Sequence, residues 1–145
     1  MRINGANGVG RFSVEFDVAN YSDVIKARDG DIRPEQVRRQ TIRGVVDCGA
    51  TKLVLPLAVV KQLGLPLMDK IKVRYADGRM AERREAEGAY LELLGRHDIF
   101  TAIVEPKRTT ALVGAIVLEA LDLLVDCQLQ RVIPRDPAGA IYEIE

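Results

Sequence analysis

Phe12-Ser13-Val14-Glu15-Phe16-Asp17-Val18 alternates apolar and polar side chains without a break. Successive residues of a strand face opposite ways, so this two-residue period marks a strand with one face in a core and one in water. The period returns at Ile71-Lys72-Val73-Arg74-Tyr75, and Ala76-Asp77-Gly78-Arg79 follows it, where Asp-Gly signals a hairpin. Residues 41–46, 52–56, 89–94, 99–104, 111–113 and 131–134 are further short runs of strand character, punctuated by Gly or Pro. The return strand after Arg79 is more charged than a core strand should be. Pro56 is placed to open a short helix over Leu57–Leu63, with Gly64 as its C-terminal cap, and an amphipathic helix is expected near 117–123. Residues 27–34 form a polar, turn-rich insertion, and 34–38 are either a helical turn or a loop. The expectation is an all-β fold with one or two short helices.

The chain has 145 residues, the length of one domain, enough to bury a core without disulfides. Lys plus Arg number 21 and Asp plus Glu number 21, so the formal net charge is zero, which argues against a nucleic-acid partner. Cys48 and Cys127 make no C-x-x-C pair and His97 is the sole histidine, so a structural zinc site is not expected. A Ser-His-Asp or Cys-His centre would have to recruit His97, which sits in a turn-like stretch and reads as an exposed turn histidine. Neither glycine-rich nucleotide signature occurs. There is no apolar leader and no run long enough to span a membrane, so the expected location is cytoplasmic, with reduced thiols.

Two apolar stretches end at glycine turns and lead into helices. One is Val45-Val46-Asp47-Cys48-Gly49, and the other is Leu112-Val113-Gly114. The echo suggests a quasi-duplicated half-barrel. Only the first carries an acid. A carboxylate directly after an apolar strand needs backbone N–H groups around it, or its burial is costly. Gly49 allows close approach of the backbone to a ligand, and Thr51 adds a hydroxyl. From the residues alone, Asp47 is either a functional acid or an aspartate in a tight Asx-type turn.

Val46-Asp47-Cys48-Gly49-Ala50-Thr51 resembles the Asp-Thr/Ser-Gly-Ala/Ser signature of the retropepsin-like aspartic proteases. Tyr75-Ala76-Asp77-Gly78-Arg79 resembles the tip of that family's flap hairpin. Leu112-Val113-Gly114 resembles its apolar-apolar-Gly element, and 116–123 the helix after it. The opening Gly-Arg-Phe-Ser-Val is shared with the small stand-alone bacterial members. The resemblance implies a closed retropepsin-like barrel over 11–135, with 1–10 as a flexible lead-in and 136–145 as a C-terminal tail. It implies one Asp turn per chain and therefore a homodimer, in which Asp47 of each subunit meets its partner and cleaves a peptide or protein substrate without cofactor or metal. Cys48, Gly49, Ala50 and Thr51 would form the active-site turn. Ala76, Asp77 and Gly78 would form the flap, whose alternative is an ordinary surface hairpin, and Val113 and Gly114 would be structural.

The sequence departs from the signature at Cys48, where the family carries Thr or Ser. That hydroxyl bonds across the dimer axis, and a thiol is a weaker donor. Three readings follow: an active endopeptidase that tolerates Cys, a catalytically weakened dimer kept as a peptide- or protein-binding module, or a redox-sensitive dimer. Cys127 reads as a buried thiol packed as a small hydrophobe. Arg38-Arg39 and Arg83-Arg84-Glu85 read as solvated faces.

Overall fold

The structure, a computed structural model, describes residues 11–145. The expected lead-in at 1–10 lies outside the described residues. Strands are β1 (Arg11–Asn20), β2 (Arg39–Asp47), β3 (Leu53–Pro56), β4 (Leu67–Arg74), β5 (Met80–Leu93), β6 (Arg96–Glu105), β7 (Ala111–Val113), β8 (Leu123–Asp126) and β9 (Arg131–Pro134). Helices are α1 (Tyr21–Arg28), α2 (Leu57–Leu63) and α3 (Ala115–Ala120), with a 3-10 turn at Pro34–Gln36.

Six strands close into a ring in the order β1-β2-β7-β3-β6-β5, and β5 returns to β1. β4 stands outside the ring on β5. The architecture is the all-β closed barrel expected from the strand periodicity and the resemblance. β1 keeps its alternation in register with β2, Phe12 facing Val46 and Phe16 facing Ile42. Phe12, Phe16 and Val18 point inward with Leu53, Leu55, Leu91 and Val113 to form the core. Gly44 makes room for Phe16, whose ring edge lies 2.6 Å from where a Cβ would stand. The two halves of the echo meet here: β2 runs parallel to β7, with Val46 beside Val113, and β3 runs parallel to β6.

Several expectations are corrected. Helix α1 was not expected, because Asp23 is its only buried side chain and no apolar stripe announces it. It forms on caps instead: Asn20 Oδ1 accepts the Asp23 N–H at 3.0 Å, and Lys26 and Arg28 sit in the last turn. Among the described residues three α-helices therefore stand where one or two were expected. Helix α2 and its cap lie where the sequence puts them, with Gly64 at φ 65°. Helix α3 starts at Ala115, directly after Gly114, two residues before the expected start. The charged return strand and the run at 89–94 are one strand, β5, with a register shift between Ala86 and Ala89. Gly88, at φ 78°, sits in that shift. His97 lies on β6 opposite Glu92, not in the turn, although it is exposed as expected. Strand 131–134 forms as expected and pairs with β8 in a separate two-stranded sheet. Cys127, in the turn between them, is exposed rather than buried.

Candidate active site

β2 ends at Asp47, which lies directly across from Arg11 of β1. The chain then turns through Cys48, Gly49, Ala50 and Thr51 into β3. Asp47 Oδ1 accepts the Gly49 N–H at 2.9 Å, and the Asp47 carbonyl accepts the Ala50 N–H at 3.0 Å. A Cβ on Gly49 would lie 3.2 Å from Oδ1, so glycine keeps that approach free. Asp47 is half-buried and Cys48, Gly49 and Thr51 are exposed.

The second half of the echo fastens this turn from beneath. The Ala115 N–H donates to Ala50 O at 2.9 Å and the Ile116 N–H to Thr51 O at 3.0 Å. Gly114 lies so close that a Cβ there would meet Lys52 O at 2.5 Å and Ala50 O at 2.8 Å. Val113, fully buried beside Val46, holds the strand that carries Gly114. Two chain segments thus lock one carboxylate in place.

The hairpin of β4 and β5 has its tip at Tyr75-Ala76-Asp77-Gly78-Arg79. Gly78, at φ 88°, takes a left-handed conformation that side chains disfavour, and Asp77 Oδ1 accepts the Arg79 N–H at 2.9 Å. Ala76, Asp77 and Gly78 are all exposed. Glu105 of β6 ties the hairpin close to its tip. The Tyr75 hydroxyl donates to Glu105 Oε2 at 2.6 Å, and Arg83 Nε donates to Glu105 Oε1 at 2.7 Å. Burial first, then the Glu105 hydrogen bond, raises the Tyr75 pKa, so the phenol stays a donor.

Two basic residues not singled out in the sequence also reach this end of the barrel. Arg11 lies directly across from Asp47, its Nε 3.7 Å from Oδ2. Arg108, half-buried in the segment between β6 and β7, donates from Nε to Thr110 O at 2.9 Å. Arg11 was legible in principle, since the alternation of β1 places it on the side of the strand opposite the Phe12 core face. Arg108 lies in an irregular segment with no period to read.

The Cys48 pKa is raised, by burial first and then by Cys127 and Asp47, so the thiol is held in its protonated form. Among the described residues no group of three or more His, Cys, Asp or Glu side chains is placed to hold a metal ion. No helix there is long and apolar enough to cross a membrane. A groove of about 800 Å³ lies elsewhere, between Tyr21, Tyr90, His97 and Ile116, and His97 stacks on Tyr90 there at 5.2 Å. His97 is thus not among the residues around Asp47.

A family model described as aspartyl protease matches residues 34–116, more than half of the chain and a span that includes the Asp47 turn, the hairpin and Gly114. The chain belongs to the aspartyl protease family. Among solved structures, this family member resembles EIAV protease, determined in complex with an inhibitor, at 15% identity and a TM-score of 0.50. The match covers 83% of this chain and 94% of that one, and it shows a common retropepsin-like fold. No curated protein matches the sequence.

Proposed function

We propose that this aspartyl protease family member is a homodimeric endopeptidase in which Asp47 of each subunit forms a catalytic dyad. The observation that carries the reading is the Asp47 turn: one half-exposed carboxylate, locked by Gly49 and by α3, at the end of a strand of the closed barrel. The corresponding turn at Gly114 carries no acid, so a dyad needs a second chain. Two carboxylates in contact share one proton and titrate as a unit. The ionised member takes a proton from a water that attacks the scissile carbonyl. The protonated member donates to the carbonyl oxygen, and the leaving amine is protonated as the bond breaks. The hairpin tipped by Ala76, Asp77 and Gly78 lies over an extended peptide and excludes water. The exposed, free Cys48 and Cys127 fit a reducing, cytoplasmic setting.

One observation favours a second reading, a peptide- or protein-binding dimer with little turnover. Cys48 stands where the family has a hydroxyl, and a weaker donor leaves the two turns less firmly joined. Cleavage of a diverse peptide mixture, read by mass spectrometry from acidic to neutral pH, separates the two. Under the endopeptidase reading the wild type cuts, and Asp47→Asn loses activity by roughly 10²–10⁴-fold. A silent wild type beside an active Cys48→Thr assigns the loss to position 48. Silence in wild type, Asp47→Asn and Cys48→Thr alike removes the endopeptidase reading.

A further inference from the structure

The charges around Asp47 do not balance. Arg11 Nε lies 3.7 Å from Asp47 Oδ2, beyond hydrogen-bond length, and it is buried with no hydrogen-bond partner among the described residues. Arg108 spends Nε and Nη2 on Thr110, at 2.9 Å and 3.3 Å, and no carboxylate among the described residues pairs with it within ion-pair distance. The neighbouring acids are already engaged. Glu105 accepts from Tyr75 and Arg83, and Glu85 accepts from Lys52 at 2.5 Å. Burial, and after it the Arg11 charge, lowers the Arg108 pKa, while Glu105 and Asp47 act against that shift. Arg11 therefore faces a carboxylate that the proposed chemistry also requires, and Arg108 shares Glu105 with Tyr75 and Arg83.

We infer that this cleft selects peptides carrying Asp or Glu side chains beside the scissile bond, with Arg11 and Arg108 as the specificity-determining residues. The inference rests on the aspartic endopeptidase reading above. The planar fork of a guanidinium matches a carboxylate with two parallel hydrogen bonds, and a half-buried setting screens that pairing less than open solvent does. A neutral side chain leaves the same N–H groups unpaired, and a lysine adds like charge, so the cleft discriminates by penalty as well as by attraction. Arg79 at the hairpin tip plays no part in this count, since it pairs with Asp77 at 3.7 Å and lies over the Tyr75 ring.

The test uses short peptides with a central Leu-Leu pair joined by a non-cleavable reduced amide, flanked on either side by Glu, Gln or Lys. Their binding to the intact protein is read by fluorescence anisotropy at low and high salt. The Glu peptide is expected to bind about tenfold tighter than the Gln peptide, with Lys weakest and the spread shrinking in salt. Arg108→Gln should remove most of the Glu advantage, and Arg108→Glu should turn the preference towards Lys. Arg108→Lys, which keeps the charge, should retain part of the advantage and provides a readout if the other variants fail to fold. Equal binding of Glu and Gln peptides by the wild type overturns the inference. In that case, cleavage of the matching all-amide peptides still upholds the endopeptidase reading. An acidic preference without any cleavage supports the selectivity and removes the endopeptidase. Binding of no peptide overturns the inference outright.

Discussion

Asp47 and Gly114 meet one constraint from two sides. The carboxylate keeps its place because Gly49 bonds it and because the carbonyls of Ala50 and Thr51 are held by the start of α3. That second contact exists only while residue 114 has no side chain. Gly114→Ala pushes a methyl group to 2.5 Å from Lys52 O, so the turn or the helix must move. The expected cost is about 1–3 kcal/mol in denaturant unfolding, and the displaced turn should lose cleavage activity by a larger factor than its stability suggests. Cys48 makes a second prediction at this scale. Burial raises its pKa, which leaves less thiolate at any given pH than in an unperturbed cysteine. In a Cys127→Ser background, iodoacetamide should label Cys48 more slowly than a free thiol near neutral pH, and faster as the solution is made more alkaline. Labelling as fast as glutathione at neutral pH would contradict it.

At the scale of elements, the unexpected helix α1 is held by a polar knot rather than by an apolar face. Asn20, only 3% exposed, caps the helix and also donates to Leu63 O at 2.8 Å, which ties α1 to the end of α2. Asp23 accepts from the Arg38 backbone N–H, Nε and Nη2, at 2.8 to 3.0 Å. The Arg38 side-chain hydrogen bond is the main reason that the Asp23 pKa is lowered, with burial opposing it. A carboxyl whose folded pKa lies below its unfolded one contributes stability that is complete above about pH 4 and lost as pH falls through the folded value. Asp23→Asn should therefore cost about 2 kcal/mol near neutral pH. The gap to wild type should narrow as denaturant midpoints are followed to lower acidic pH. A gap that stays constant would remove the charge from the explanation. Arg38 and Arg39 are both exposed, as expected of a solvated pair, and Arg38 in addition binds Asp23 in this knot.

For the whole molecule, the closed ring hides the edges of six strands and leaves β4 and the β8–β9 pair outside it. An open strand edge is a template for pairing with another chain. The proposed dimer makes a sharp prediction about mixtures. Wild type allowed to exchange subunits with a ninefold excess of Asp47→Asn should lose cleavage about tenfold per wild-type chain, since nearly every wild-type subunit then has an inert partner. Sedimentation should show dimers in both pure samples. Activity that depends only on the amount of wild-type chain would mean that each chain works alone.

Local patterns were legible in the residues and long-range choices were not. The alternation of β1, the hairpin at Asp77-Gly78, helix α2 with its Gly64 cap, and the acid turn at Asp47 each depend on a few neighbouring residues, and each appears in place. A two-residue period says that a segment is a strand with a buried face, but not which strand lies beside it. The parallel pairing of β2 with β7, the closure of β1 on β5, and the merger of two runs into β5 came from packing of segments far apart in the chain. So did the exposure of Cys127 and the course of the segment that carries Arg108, because an irregular loop has no period and takes its course from what it packs against. The sequence by itself determined the strands, the turns and the acid. The tertiary structure decided which backbone holds that acid and which charges surround it, because both are set by contacts between residues that only folding brings together.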